Sequence, residues 1–376
     1  MKTKRLFCLF SFLWACSVGY LFSQDRAGSS LPRQVIIDTD PGVDDSFAIL
    51  LALRSPDIKV DAMTIVFGNV TVDIGTQVAL RLVEVANRTD IPIARGAEGP
   101  LTRRFQMQNA HGPDGMLGKA NTFPDPKTQP VTTPAVELMR DLIRKNPGKI
   151  SLIPVGPLTN VAMLLRLDPE IAKMIPQIVL MGGSISGGNM TPAAESNIWH
   201  DPEAAQIVFH SGIPITMIGL DVTRKMEFKD KYVRELEASS DPVAQAAGRL
   251  GRAGVRSVPG TNGAPAIFMG RVLHDPLAMA AFIDPSIVKT QKCHIEVETA
   301  GEFTAGETLG YCSGRPVRDS QPLLADLSQP ATGMQPEATA SPNADVAVDV
   351  DVDKYFQLVM PRLLGKASSS ANSQTH

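Results

Sequence analysis

A regular alternation of short apolar runs with longer helix-like segments constrains this chain more than any other feature. The apolar, β-branched runs lie at 35–38, 60–68, 91–96, 150–156, 177–183 and 214–222. Helical patterns occupy the intervals at 46–54, 72–88, 135–146 and 201–212. Continuously apolar strands that alternate with helices are typical of a parallel sheet covered by helices on both faces. The handedness of such crossovers narrows the prediction to an open, mostly parallel, Rossmann-like α/β sheet.

The carboxyl-terminal part of the chain predicts an antiparallel hairpin. Residues 292–312 alternate apolar and polar side chains around a glycine-containing turn. Cys293 and Cys312 lie at similar distances from the turn at 302–303, so they could face each other and form a disulfide. Two unpaired, partly buried thiols are the alternative.

The remaining carboxyl-terminal segments differ in composition. Residues 316–345 are rich in Pro, Ala, Ser, Gln and Asp, which predicts a loop insertion. A strand at 346–352 and a helix broken by Pro361 are expected to follow. The tail at 366–376 is predicted to be disordered.

Residues 1–24 have the order of a secretory signal peptide, with basic residues, an apolar run and then a polar segment. We therefore expect export, to the periplasm or outside the cell, with no stable membrane partner after cleavage. An uncleaved membrane anchor is one alternative, and a lipoprotein modified at Cys16 is another. The net charge of −3 and the lack of a basic stripe argue against a nucleic-acid partner.

The strongest chemical signal is an acidic segment directly after the first predicted strand, Asp38-Thr39-Asp40-Pro41-Gly42-Val43-Asp44-Asp45. In a parallel α/β sheet, the carboxyl ends of the strands form the ligand-binding edge. Helix capping would need one of these aspartates, or two. Four carboxylates this close repel one another, and a hard cation such as calcium or magnesium relieves the repulsion. The segment therefore favours a metal site.

Two weaker signals lie downstream. His274-Asp275-Pro276 adds a carboxylate, but Asp followed by Pro is also a normal helix start, and the chain repeats the tripeptide at His200-Asp201-Pro202. The segment 187–197 follows a predicted strand and combines glycines with amides and a carboxylate. These groups suit sugar hydroxyls, although a solvated glycine-rich loop is the alternative.

Together these segments resemble the inosine–uridine-preferring nucleoside hydrolase family. The resemblance rests on DTDPGVDD, IPVGPLTNVA, VLMGG, a Gly-Asn pair followed by Glu-x-Asn, and the late HDP. It covers residues 34–365 as one domain. It implies calcium-dependent hydrolysis of the N-glycosidic bond of ribonucleosides by a homo-oligomer, either a dimer or a tetramer. The resemblance leaves the choice between purine and pyrimidine nucleosides open.

The resemblance also implies roles for individual residues. Asp40, Asp45, Asp275 and the backbone carbonyl of Val155 match calcium ligands, and Asp40 also matches the general base that deprotonates the attacking water. His274 matches a histidine that helps the nucleobase depart. The residues that match substrate contacts, including one on a mobile loop over the site, are Asp44, Asn69, Asn189, Glu195, Asn197 and His111.

Two other functions remain open at this point. One is an exported nucleoside- or ribose-binding protein without turnover, although all the matching catalytic side chains are present. The other is a phosphohydrolase with an aspartyl nucleophile in Asp38-x-Asp40, which the following Pro41-Gly42-Val43 fits imperfectly. Relatives often place base-recognising aromatic residues at 246–273, where this chain offers Phe268 alone.

Overall fold

The computed structural model describes residues 31–105, 107, 110–254, 256–258, 267–269, 271–312 and 341–366. The predicted signal peptide, most of the predicted insertion and the tail from residue 367 onward lie outside these ranges. No helix in the described ranges has the length and apolar character needed to cross a bilayer.

One large sheet organises the described residues. The strands are β1 (Arg33–Thr39), β2 (Ile58–Ile65), β3 (Ile93–Arg95), β4 (Ile150–Pro154), β5 (Ile178–Met181), β6 (Ile215–Ile218), β7 (Glu227–Phe228), β8 (Arg256–Val258), β9 (Ile267–Met269), β10 (Arg271–Val272), β11 (Val288–Val297), β12 (Thr308–Cys312) and β13 (Ala344–Val350). The described part of the large sheet has nine strands in the order β12-β11-β13-β6-β5-β4-β1-β2-β3. All strands from β13 to β3 run parallel, which confirms the predicted open, mostly parallel sheet.

Helices cover both faces of this sheet. They are α1 (Val43–Leu53), α2 (Val72–Val85), α3 (Ala135–Lys145), α4 (Thr159–Leu167), α5 (Ser196–His200), α6 (Pro202–Phe209), α7 (Leu220–Thr223), α8 (Asp230–Glu237), α9 (Pro242–Gly254), α10 (Asp275–Ile283) and α11 (Val352–Leu363). Apolar residues of α1, α2, α9, α10 and α11 join one core cluster, and those of α3, α4 and α6 join another.

Strand β1 shows how the sequence produces two cores. Val35 and Ile37 belong to one apolar cluster and Ile36 belongs to the other, and all three are fully buried. Successive side chains of a strand point to opposite faces. A strand that is apolar at every position is therefore stable only where both faces are covered.

The predicted antiparallel hairpin is present as β11 and β12. Cys293 lies opposite Cys312 in this pairing, and the two residues form a disulfide with their Cα atoms 4.0 Å apart. Strand β11 also pairs antiparallel with β13. The hairpin therefore extends the main sheet at one edge.

Three differences from the sequence predictions lie in the second half of the chain. Strand β6 ends at Ile218 because the Leu220 amide turns to donate to the Gly183 carbonyl at 3.0 Å, and α7 begins there. The predicted insertion ends earlier than expected, since β13 begins at Ala344. Pro361 does not break α11, because it lies in the last turn of the helix, where its missing N–H removes one hydrogen bond.

Candidate active site at the carboxyl edge of the sheet

The acidic segment lies where β1 ends and α1 begins. Gly42 is the N-cap of α1, so Asp44 and Asp45 occupy its first turn. A Cβ atom on Gly42 would lie 2.5 Å from His111 Nδ1, so a larger residue would displace that ring. Asp45 completes the cap by accepting the Gly42 N–H at 2.9 Å. The Asp45 carboxylate therefore caps α1, and Asp40 and Asp44 have no capping role.

Four buried carboxylates converge at this edge. Asp40, Asp44, Asp45 and Asp275 are each at most 6% exposed. Carboxylate oxygens of Asp44, Asp45 and Asp275 lie within 4.8 Å of one another. Among the described residues, Asp40 Oδ1 and Asp44 Oδ1 accept no hydrogen bond. Buried carboxylates without partners are costly unless positive charge compensates them, so this cluster has the donor set of a possible metal site.

Burial and mutual repulsion raise the pKa of most of the cluster. Burial, followed by the charge of Asp45, raises the pKa of Asp40 well above its ordinary value. Burial, followed by the charges of Asp44 and Asp45, does the same to the pKa of Asp275. The pKa of Asp45 is also raised, by burial and by Asp44. These carboxyl groups would ionise fully only beside added positive charge.

Asp44 behaves differently because two histidines and an arginine face it. His111 Nε2 lies 3.6 Å from Asp44 Oδ1, and an Arg271 nitrogen lies 3.2 Å from His111 Nδ1. The backbone N–H of His274 donates to Asp44 Oδ2 at 3.4 Å. Although burial opposes ionisation, His111, Arg271 and His274 together lower the pKa of Asp44. Asp44 is therefore the carboxylate that the protein itself keeps ionised.

The two His-Asp-Pro tripeptides have different structural roles. Asp201 is the N-cap of α6: its Oδ1 accepts the Ala204 N–H at 3.0 Å, and its Oδ2 accepts the Thr159 hydroxyl at 2.7 Å. Asp275 is not a cap, because the N-cap of α10 is His274, which makes no side-chain capping bond. Asp275 instead points into the carboxylate cluster, which excludes helix capping as its role.

The carboxyl end of β4 brings a carbonyl and an amide to the same place. Asn197 Nδ2 donates to the carbonyl oxygens of Val155 and Met181, both at 3.0 Å. A carbonyl oxygen has two lone pairs, so the Val155 carbonyl retains one after this bond. A Cβ on the next residue, Gly156, would lie 2.7 Å from Asp40 Oδ1. Val155, Asn197 and Asp40 are thus close neighbours.

Asn69 joins the carboxylates from the end of β2. Its backbone N–H donates to Asp40 Oδ2 at 2.6 Å, and its side-chain Nδ2 donates to Asp45 Oδ2 at 3.1 Å. Gly68 has a φ of 157°, and a Cβ there would fall 2.0 Å from Asp40 Oδ2. The close approach of this loop to Asp40 therefore depends on glycine.

Asn189 and Glu195 shape the loop that follows β5. Asn189 is exposed, and its Oδ1 accepts the Ser196 N–H at 3.0 Å. Glu195 is buried, and its Oε2 accepts the N–H groups of Gly183 at 2.9 Å and Ile198 at 3.2 Å. Burial raises the pKa of Glu195. These hydrogen bonds hold the loop that carries Asn197 at the site.

Sequence reasoning assigned no supporting role to Asp38 and did not single out Arg271. Asp38 accepts hydrogen bonds from the Thr64 hydroxyl at 2.6 Å and from Asn160 Nδ2 at 2.8 Å, and burial raises its pKa to about 7. The acidic residues beside Asp38 in the sequence could have indicated this supporting role. Arg271 had no such signal, because its contact with His111 joins residues 160 positions apart.

The fold and the site define an α/β protein with a buried acidic centre at the carboxyl edge of a parallel sheet. The sequence model of the inosine-uridine preferring nucleoside hydrolase family matches residues 35–357, and the chain belongs to that family. It is thus an enzyme that hydrolyses the N-glycosidic bond of ribonucleosides.

Individual relatives support this assignment. The pyrimidine-specific ribonucleoside hydrolase RihA of a Shewanella species is 43% identical over 281 residues, which cover 74% of this chain and 86% of that protein. RihA of Citrobacter koseri is 38% identical over 335 residues, covering 89% of this chain and 99% of the relative. A solved purine-preferring ribonucleoside hydrolase from Gardnerella vaginalis has a TM-score of 0.73 at 30% identity, covering 89% of this chain and 100% of that one.

Proposed function

We propose that this enzyme uses calcium, held by Asp40, Asp45, Asp275 and the Val155 carbonyl, to hydrolyse ribonucleosides to ribose and a free nucleobase. The observation that carries the proposal is the buried carboxylate cluster, in which Asp40 Oδ1 and Asp44 Oδ1 accept no hydrogen bond from the described residues.

The donor set fits a hard cation. All the proposed ligands are oxygen atoms, which calcium prefers, and no sulfur or imidazole nitrogen is among them. The raised pKa values of Asp40, Asp45 and Asp275 mean that added positive charge would stabilise the ionised form of these three carboxyl groups. When bound, calcium supplies that charge and makes a nearby water more acidic.

Asp40 is the proposed general base. Its Oδ2 is held by the Asn69 N–H, whereas its Oδ1 is free to accept a proton from the attacking water. The positive charge that develops on ribose in the transition state is stabilised by the surrounding carboxylates, and ionised Asp44 contributes most directly.

Ribose is proposed to bind around Asp40. Asp44, a member of the carboxylate cluster, and Asn197, which borders it, are assigned to ribose hydroxyls, with Asn69 beside them. Glu195 and Asn189 are assigned to the same sugar from the loop after β5. Because hydroxyls both donate and accept, a pocket of carboxylates and amides can satisfy each of them.

His274 is the proposed proton donor to the departing nucleobase. Its Nδ1 lies 2.8 Å from the Thr223 hydroxyl, and burial lowers its pKa, which favours the neutral ring. Donation to the base requires the doubly protonated ring, which the charge of Asp44 favours by raising the pKa of His274 against the effect of burial. Nδ1–H then donates to the Thr223 hydroxyl, and the Nε2 proton passes to the base and leaves a neutral imidazole. His111 and Arg271 lie on the same side of Asp44 and are proposed to close over the substrate.

A panel of nucleosides tests the calcium-dependent reaction. Ribose and nucleobase are measured after incubation with cytidine, uridine, inosine, guanosine or adenosine, before and after calcium removal with EGTA. Turnover should disappear on chelation and return with calcium. Pyrimidine nucleosides are the first choice, because the two curated relatives carry pyrimidine-specific names. Unchanged turnover in demonstrably metal-free enzyme contradicts the calcium proposal.

The same panel separates the alternatives. Nucleoside binding without ribose release would support a binding protein, and phosphate release from sugar phosphates without nucleoside cleavage would support a phosphohydrolase. Asn197→Ala should raise KM and lower kcat, because its amide borders both Val155 and the carboxylates. Asn146→Ala is the matched control, since Asn146 caps α3 before the amino end of β4.

We also propose that the enzyme is exported and assembles as a homo-oligomer. The signal-like order of residues 1–24 supports export, and the family resemblance supports a dimer or tetramer. Cell fractionation with mass analysis of the mature amino terminus tests the first proposal. Light scattering of the purified protein tests the second, and a monomer at micromolar concentration would contradict it.

A further inference from the structure

A second cluster of metal-ligating side chains lies away from the carboxylates. His210 is the C-cap of α6, and His294 and Glu296 lie on β11. Ligand atoms of these three residues lie within 4.8 Å of one another. His294 Nε2 is 2.8 Å from Glu296 Oε1, and His210 Nε2 is 3.2 Å from Glu296 Oε2. Two imidazoles thus approach the two oxygens of one carboxylate.

The cluster is at the opposite edge of the sheet from the catalytic residues. His210 precedes β6, and Ser341, which contacts His294, precedes β13. The catalytic residues instead follow the ends of β1, β2 and β4. Because these strands are parallel, the amino and carboxyl ends form separate edges, and the two clusters cannot share a ligand.

Neighbouring groups orient two of the three side chains, His294 and Glu296. The carbonyl oxygen of Ser341 lies 3.0 Å from His294 Nδ1, so Nδ1–H donates there and Nε2 faces the cluster. Gln206 Nε2 donates to Glu296 Oε2 at 2.7 Å, while Gln206 Oε1 accepts the Val297 N–H at 2.8 Å. Metal-ligating histidines commonly donate their second ring N–H to a carbonyl, and ligating carboxylates are commonly hydrogen-bonded in this way.

We propose that His210, His294 and Glu296 form a second metal site, for zinc. Two imidazole nitrogens and a carboxylate oxygen suit a borderline ion and do not suit calcium. Zinc bonds of about 2.0–2.1 Å place the ligand atoms of a tetrahedral site about 3.3 Å apart. The His294 and His210 nitrogens lie at similar distances, 2.8 Å and 3.2 Å, from the Glu296 oxygens. Three protein ligands leave the fourth position to water.

The surroundings allow an ion to enter. A cavity of about 440 Å³ is lined by His210 and His294 together with the segment Ser341–Asp345. Zinc held here would join α6 to β11, next to the Cys293–Cys312 disulfide. The expected effect is on stability.

Calorimetric titration of zinc into the full chain, with calcium at saturating concentration, tests the site. We expect one zinc per chain and a rise in the Tm on zinc binding. Loss of a hydrogen bond that supports a metal ligand costs about 10–100-fold in metal affinity. Glu296→Gln and His294→Ala remove the ligands themselves, so each should weaken zinc binding by about 100-fold or more. Asp345→Asn is the matched control, because Asp345 lines the same cavity outside the cluster, and it should keep wild-type affinity.

The readout does not depend on nucleoside turnover, so this proposal and the proposed function fail separately. Glu296→Gln is nearly isosteric and decides the question even if His294→Ala does not fold. No zinc uptake by the calcium-saturated wild-type protein would overturn the proposal. Equal zinc affinity in Glu296→Gln and Asp345→Asn would overturn it as well.

Discussion

The repeated His-Asp-Pro tripeptide allows one chemical change, Asp to Asn, to be made in two settings. Asp275→Asn removes a charge from the carboxylate cluster, whereas Asp201→Asn changes a helix cap that is fully buried. Asn is nearly isosteric with Asp in both places. We expect the first substitution to weaken calcium binding and the second to weaken the fold.

The structure provides the magnitude for Asp275. Two unit charges separated by the 4.8 Å limit of this cluster interact by about 3.5 kcal/mol at an effective dielectric of about 20. Attraction of at least this size to a bound cation is lost in Asp275→Asn, so the Kd for calcium should rise by about 300-fold or more.

Stability of the calcium-free protein should change in the other direction. The pKa of Asp275 is raised in the folded state, so at neutral pH folding requires the carboxyl group to take up a proton or to accept repulsion. Its contribution to stability is present at acid pH and is lost as the pH rises through the folded pKa. Asp275→Asn removes this dependence and should raise the free energy of unfolding at neutral pH.

Asp201→Asn should show the reverse pattern. Its carboxylate accepts the Ala204 N–H, the Thr159 hydroxyl and the Leu101 N–H. An amide replaces one acceptor oxygen by a donor, which leaves a buried partner unsatisfied and costs about 1–3 kcal/mol. The calcium affinity and kcat should stay within about two-fold of wild type, because no contact joins this cap to the cluster among the described residues.

Urea unfolding in EGTA and calcium calorimetry measure both quantities for both variants. Calcium binding by Asp275→Asn within about ten-fold of wild type, a difference of about 1.4 kcal/mol, would rule out Asp275 as a calcium ligand. Loss of calcium affinity in Asp201→Asn with unchanged stability would rule out the capping role of Asp201.

Three further outcomes are expected. Asp40→Asn should keep the fold and lose several orders of magnitude in kcat. If the variant retains more than about a tenth of wild-type kcat, a barrier change under about 1.4 kcal/mol, Asp40 is not the base. Gly156→Ala should lower kcat/KM with a wild-type circular dichroism spectrum, because its Cβ would lie 2.7 Å from Asp40 Oδ1; unchanged kinetics would contradict this geometry. Replacing Cys293 and Cys312 by Ser should lower the free energy of unfolding by about 3 kcal/mol, since the disulfide closes a loop with a sequence separation of 19. Urea unfolding of oxidised wild type against the double variant measures the change, and equal midpoints would show that the bridge contributes little.

Local patterns were sufficient for the fold and for the centre of the site. The apolar runs predicted the parallel strands because such strands are stable only when both faces are buried. The acidic segment predicted a cluster at the carboxyl edge because β1 and α1 are adjacent in the chain, and the turn between them lies at the carboxyl end of β1. The hairpin register, with Cys293 opposite Cys312, followed from the symmetry of one short segment.

The sequence by itself thus determined the α/β class, the nucleoside hydrolase resemblance and the position of the carboxylates. The local patterns of the two identical tripeptides did not separate them. The resemblance alone pointed to Asp275, and the tertiary structure decided that Asp201 caps a helix whereas Asp275 supplies a carboxylate to the cluster. The tertiary structure alone placed Arg271 beside His111 and brought His210 within 3.2 Å of Glu296, residues 86 positions apart. The reason is physical: a strand or a helix start depends on neighbours along the chain, whereas these contacts depend on how distant elements pack around one sheet.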